Sequence, residues 1–141
     1  MKKICIIDGQ GGGIGGTAIK RLKEYLGESV EIIALGTNAI ATAQMLKSGA
    51  NKGASGENAI IRTSSNADLI IGPIGIIIAN SMMGEVTPNI AEAIANSPAR
   101  KILIPLTQEN VTILGVSNMP LPHLIDEIIN LHIENILSDK K

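Results

Sequence analysis

At 141 residues with 45% apolar side chains, the chain is long enough to bury one core and fits a single domain over residues 1–141. A net charge of -1, with lysines and arginines scattered and Tyr25 as the only aromatic residue, excludes the basic footprint and stacking platform of a nucleic-acid binder. The longest nearly charge-free apolar stretch, 69–83, is shorter than the roughly 20 residues of a spanning helix and is broken by Gly72, Pro73 and Gly75, so no membrane partner is expected.

Met1-Lys2-Lys3 leads into a short apolar run without the longer apolar segment and cleavage site of a signal peptide, and a cytoplasmic location is expected. Residues 3–8 are continuously apolar up to Asp8, as in a strand covered on both faces, and Cys5 within it is expected to be an inert buried thiol. DGQGGGIGG follows, with six glycines in the nine positions 8–16. Ile14, Ala18, Ile19, Leu22 and Leu26 then recur at helical spacing, and Gly27 stops that helix.

A second strand is predicted over Val30–Leu35, and Gly36-Thr37-Asn38 supplies N-cap candidates for a helix carrying Ile40, Ala43, Met45 and Leu46. Residues 49–56 read as a loop. Residues 57–65 read as a short helix capped by Ser55 rather than a strand, because a third strand, Ala67–Ile71, follows almost at once and needs a crossover before it. Thr87-Pro88 starts a helix with Ile90, Ala91, Ile94 and Ala95 on one face, and Pro98 ends it.

Two further strands, 101–106 and 111–116, are separated only by Thr107-Gln108-Glu109-Asn110, which predicts an antiparallel hairpin at a sheet edge. Residues 121–137 form a strongly amphipathic helix that packs on the sheet or on another subunit, and a homo-oligomer is expected. The whole pattern predicts an α/β fold, a three-layer, Rossmann-like, open and mostly parallel sheet with a C-terminal antiparallel hairpin edge. Ligands of such sheets bind beyond the carboxyl ends of the strands where the strand order reverses. Here that rim is Asp8 with the glycine loop, Gly36-Thr37-Asn38, Gly72-Pro73-Ile74-Gly75 and Pro105-Leu106-Thr107-Gln108.

A strand ending in a glycine loop that opens a helix presents unpaired first-turn N–H groups and the positive end of the helix dipole, a place suited to phosphate. Gly11-x-Gly13-x-x-Gly16 fits the dinucleotide-binding pattern in that context. The spacing Gly9-x-x-x-Gly13-Ile14-Gly15 resembles the cofactor loop of short-chain dehydrogenases and reductases over residues 3–26, and Asp68–Gly75 is similar to their fourth strand and following loop. That resemblance implies Gly9, Gly13 and Gly15 against a pyrophosphate, with NAD(P) or another nucleotide as ligand. No Tyr-x-x-x-Lys accompanies it, since Ser29 stands four residues after Tyr25, and Gly36-Thr37-Asn38 stands where the ribose-binding acid would close the second strand. IDGQGGGIG, ALGTNAIAT, GENAI and IGPIGIIIANS together resemble a small bacterial family of about this length, which implies a single domain and no particular chemistry.

The candidate cofactor-binding residues are Asp8, Gly9, Gly11, Gly12, Gly13, Ile14, Gly15, Gly36, Thr37, Asn38, Gly72, Pro73 and Gly75. Asp8 either accepts hydrogen bonds from the loop's own amides, or binds magnesium or a ribose hydroxyl, or takes part in catalysis. Ser55-Gly56-Glu57-Asn58 is a capping turn or a ligand-closing loop, and Glu85 reads as a solvated loop residue. His123 and His132, nine residues apart on one helix, do not make a metal pair, and no metal site is expected. Binding of a nucleotide or other phosphate-bearing small ligand is the expected function. The alternatives are an enzyme on a nucleotide or sugar phosphate that uses Asp8, Glu57 or Asn80, and an oligomeric partner-binding protein with an empty glycine loop.

Overall fold

The computed structural model describes residues 1–107 and 109–138. Five strands, β1 (Lys3–Asp8), β2 (Glu31–Gly36), β3 (Lys52–Ser55), β4 (Leu69–Pro73) and β5 (Arg100–Ile104), form one sheet in the order β3-β2-β1-β4-β5. Every pairing is parallel. The chain winds outward from β1 through β2 to β3, then returns to the other side of β1 for β4 and β5, so the order reverses between β1 and β4.

The apolar runs of β1, β2 and β4 feed two cores because alternate side chains point to opposite faces. On one face Ile4, Ile6, Ile32, Ala34, Leu69 and Ile71 pack against α1 (Gly13–Leu26), α2 (Ala39–Lys47) and the C-terminal helix. On the other, Cys5, Ile7, Ile33, Leu35 and Ile70 pack against α3 (Glu57–Ser64) and α4 (Pro88–Asn96). Burial pushes the Cys5 thiol up to about 12, in keeping with an inert side chain. A 3-10 turn, Ile74–Ile77, follows β4.

The helix starts follow their caps. The Asn38 side chain accepts the Ala41 N–H, and the Thr87 hydroxyl accepts the Ile90 N–H with Pro88 at the first helical position. Over residues 57–65 the helix reading holds, but Gly56 rather than Ser55 is the N-cap and no side chain caps it. The expected loop 49–56 contains β3, a polar and mostly exposed edge strand whose Ala54 stands beside Leu35 of β2. Its sequence, KGAS, carries no apolar run to signal it.

The predicted C-terminal hairpin is corrected. Among the described residues β5 stops at Ile104, the sheet has no antiparallel pair, and 111–116 is not a strand. Leu114 and Gly115 turn the chain, Gly115 at φ 80, which an extended strand does not hold, and Leu114 is left 90% exposed. Gln108, in the predicted hairpin turn and on the predicted rim, lies outside the described residues. The final helix is interrupted: α5 (Leu121–Glu127) passes through a π-helical segment, Ile128–Ile133, into α6 (Glu134–Leu137). That wider segment places Ile128, Ile129 and Ile133 together in the core, a five-residue spacing that matches π rather than α periodicity. Arg21 donates to Asp126 at 2.8 Å and Tyr25 to Glu134 at 2.8 Å, tying this helix to α1.

Candidate functional site

At the reversal between β1 and β4 the strand ends splay, and a cleft of about 260 Å³ opens beyond them. It is lined by Asp8, Gln10 and Ile14 from the β1–α1 corner, Pro73, Gly75 and Met82 from the segment after β4, and Leu106, Thr107 and Glu109 after β5. Two carboxylates, no Lys or Arg, and several apolar side chains make this wall. Among the described residues no cluster of His, Cys, Asp and Glu is arranged to hold a metal, and no helix is long and apolar enough to cross a membrane.

Asp8 is the deepest polar group in the cleft, 4% exposed. One carboxylate oxygen accepts the Gly9 N–H at 2.8 Å and the other accepts the Gly15 N–H at 2.7 Å. Gly15 lies in the first turn of α1, so the carboxylate supplies an anion to that helix end from within the chain. Burial raises the Asp8 pKa, outweighing the amide bonds from Gly15 and Gly9, and the nearby charge of Glu85 adds to the rise. The Ile14 N–H also faces this carboxylate and lowers its pKa, a smaller effect than those of Gly15 and Gly9.

The six loop glycines divide by what a Cβ would meet. At Gly12 the backbone is left-handed, φ 74, and a Cβ would stand 2.8 Å from the Ala41 carbonyl oxygen of α2. At Gly15 it would meet the Met45 sulfur at 2.6 Å, at Gly16 the Ser48 hydroxyl at 2.9 Å, and at Gly9 the Thr37 hydroxyl at 2.5 Å and the Met82 sulfur at 2.6 Å. Packing of the chain on itself accounts for Gly9, Gly12 and Gly15, while at Gly16 only the rotatable Ser48 hydroxyl stands in the way. Gly11 and Gly13 are exposed, their φ is not positive, and nothing lies within 4 Å of a Cβ built on either. Among the described residues neither of their N–H groups meets an acceptor in the chain, whereas Gly12 N–H donates to the Gly9 carbonyl at 2.9 Å.

A residue that sequence reading left in solvent organises the neighbouring rim. Glu85 Oε1 accepts from the Gln10 N–H at 2.8 Å, the Thr37 hydroxyl at 2.6 Å and the Asn38 side-chain amide at 2.8 Å. Burial works against its charge, but these three bonds prevail and hold its carboxyl below the usual range. The acid absent from the end of β2 in the sequence thus arrives there from the loop after β4, 48 residues from Thr37. No local pattern announces a partner at that separation. Asn38 has a further role, its amide also donating to the Gln10 carbonyl at 3.0 Å.

The predicted residues are therefore brought together in part. Asp8, Ile14, Pro73 and Gly75 line the cleft, and Gly11 and Gly13 lie on the loop beside it. Thr37 and Asn38 face Glu85. Gly36 is pressed on the Thr42 hydroxyl and Gly72 on the Ile7 carbonyl, which gives both a packing role. Glu57 accepts a hydrogen bond from Thr87 and joins α3 to the start of α4, and exposed Asn80 does not line the cleft, so Asp8, Glu57 and Asn80 do not converge there. His123 and His132 are both exposed.

The chain belongs to the family described as a domain of unknown function (DUF3842), which matches residues 3–137. Among curated proteins none matches it. A crystal structure described as a universal stress protein in complex with cAMP is similar at 17% identity, with a TM-score of 0.42, over 74% of this chain and 98% of that one.

Proposed function

We propose that this domain binds a small phosphate-bearing ligand, a nucleotide or a sugar phosphate, with the phosphate on the glycine loop and the remainder in the switch-point cleft. The observation that carries the reading is the pair Gly11 and Gly13. Both lack a side chain where the chain itself leaves ample room for one, and both present unpaired N–H groups at the start of α1. Close approach of a ligand to the backbone accounts for that pair, as it does where glycine loops meet phosphates.

The cleft chemistry narrows the rest of the ligand. Asp8 and Glu109 offer acceptors only, so they suit hydroxyl or amine donors and repel an anion placed directly against them. Ile14, Pro73, Met82 and Leu106 offer apolar contact to a ring. A phosphate held by amides on the loop, joined to a hydroxyl-bearing ring in the cleft, meets both conditions.

Thermal-shift titration with NAD, NADP, ATP, sugar phosphates and inorganic phosphate tests this. Stabilisation by at least one phosphate-bearing compound is expected in the wild type and not in Gly13→Val, where the added Cβ meets nothing of the chain within 4 Å and circular dichroism checks that the fold is kept. No shift from any of them, or an equal shift in Gly13→Val, refutes the phosphate site on the loop.

A further inference from the structure

Residues 78–86 cross the rim between the cleft and the end of β2, and their tip has features that the sheet does not require. Ser81 and Val86 are buried at 1% and 0% exposure and anchor the segment, while Met83 between them is 96% exposed. Met82, Met83 and Gly84 all adopt left-handed backbone, φ 56, 57 and 88, as does Asn80 at φ 67. Such conformations are unfavourable for side-chain-bearing residues and persist where other contacts hold them. Within the segment the backbone closes on itself, Asn80 N–H donating to the Val86 carbonyl at 2.7 Å and Val86 N–H to the Ser81 carbonyl at 3.3 Å, and Met82 N–H donates to Glu109 at 3.3 Å. Across to the loops after β1 and β2 the tip is joined by the Glu85 carboxylate, one oxygen of which collects all three donors described above.

Those donors come from separate chain positions, a loop amide after β1 and two side chains after β2, and all are neutral. Together they form a pocket for one anionic oxygen. The Gln10 N–H in that pocket immediately precedes the open Gly11 in the glycine loop. The pocket therefore adjoins the proposed phosphate position and is filled by a carboxylate from the segment after β4.

Resting on the phosphate-binding reading, we infer that Glu85 is a resident competitor: a phosphate oxygen of the ligand replaces its carboxylate on Gln10, Thr37 and Asn38 and releases the tip Met82–Glu85. Release turns the tip away from the cleft, which Met82 lines. The ligand class follows from the pocket, whose three donors hold an anionic oxygen more strongly than a neutral acceptor.

A competitor that holds the pocket in roughly 90–99% of molecules weakens the apparent affinity about 10- to 100-fold. Calorimetric titration with inorganic phosphate and pyrophosphate, on wild type, Glu85→Ala, Glu85→Gln and Gly13→Val, reads that factor directly. Glu85→Ala is expected to bind about 10- to 100-fold more tightly than wild type, with Glu85→Gln between them because it keeps an acceptor but loses the charge. A spin label on Met83→Cys, at a site already exposed, should become more mobile on saturation with pyrophosphate. Equal affinity of wild type and both Glu85 variants, with Gly13→Val silent, overturns the competitor role and leaves the loop site standing. Silence of every protein, Glu85→Ala included, overturns both. Should Glu85→Ala fail to fold, Glu85→Gln and the spin label decide: unchanged affinity and unchanged mobility refute the inference.

Discussion

Replacing Asp8 by alanine separates a loop-organising carboxylate from one kept for a ligand. The wild-type side chain accepts the Gly9 N–H at 2.8 Å and the Gly15 N–H at 2.7 Å while only 4% exposed, so alanine leaves two buried donors without acceptors. Each such donor costs about 1–3 kcal/mol, and relief of the buried charge returns part of that, for a net loss of about 2–4 kcal/mol. At about 2–4 °C per kcal/mol, the midpoint of thermal unfolding falls by about 5–15 °C. Urea unfolding followed by circular dichroism gives the free energy. A loss under about 0.5 kcal/mol, the size of an ordinary surface substitution, refutes the organising role. Asp8→Asn keeps one acceptor and should lose less. It also removes a titration whose sign is set: burial raises the folded pKa of Asp8 above its ordinary 3.8, so its contribution to stability is full below the unfolded pKa and is lost as pH rises through the folded one. The stability advantage of wild type over Asp8→Asn should accordingly widen as pH is lowered toward 4, and a gap that narrows contradicts the buried-charge account.

Glu85 titrates in the opposite sense: its folded pKa is lowered, so its contribution is present above the ordinary 4.5 and fades as pH falls through the folded value, a fading that Glu85→Gln should abolish in acid unfolding curves. Gly13→Ala should stabilise the domain by about 0.4–1 kcal/mol in urea unfolding, because open space surrounds the new methyl group and the unfolded chain loses freedom. Gly72→Ala should reduce soluble yield and midpoint sharply, since its methyl group meets the Ile7 carbonyl of the neighbouring strand. Ile125→Ala, at a fully buried position of α5, should cost about 2–5 kcal/mol by the same assay, whereas a surface-clamped helix would lose far less.

How much of this was legible in the sequence depends on whether the signal was local. The strands β1, β2 and β4 are continuous apolar runs, and α1, α2 and α4 carry caps and stripes within a few residues of one another, so their existence could be read and their ends shifted by only a few positions. β3 is held by its register on β2 and by α2 above it, not by its own composition. The run 111–116 has strand-forming side chains but turns at Leu114 and Gly115, where the local pattern misled. The carboxyl-end rim followed from the order of elements, and with it Asp8, Pro73 and Gly75 of the cleft, whereas the reversal between β1 and β4 required the strand order that the structure supplies. Leu106 and Thr107 stood on the predicted rim and Gln10 within the glycine loop, whereas Met82 and Glu109 were missed because each enters the site through tertiary approach of a loop.

The glycine cluster shows where sequence counting stops and structure begins to discriminate. Six glycines in one loop look alike as letters, yet Gly9, Gly12, Gly15 and Gly16 answer to Thr37 and Met82, to Ala41, to Met45 and to Ser48. Their presence would be required of an empty turn with the same packing, so the density of glycine alone never distinguished a phosphate cradle from a turn. Only Gly11 and Gly13 bear on that question, because packing gives them no reason to be glycine. Asp8 takes the first of the roles weighed for it in the sequence, accepting the loop's own amides from Gly9 and Gly15. Under the phosphate-binding proposal the ligand approaches past Gly11 and Gly13, where a Cβ would meet nothing, and Glu85 is the carboxylate already held by the adjoining Gln10 N–H at 2.8 Å.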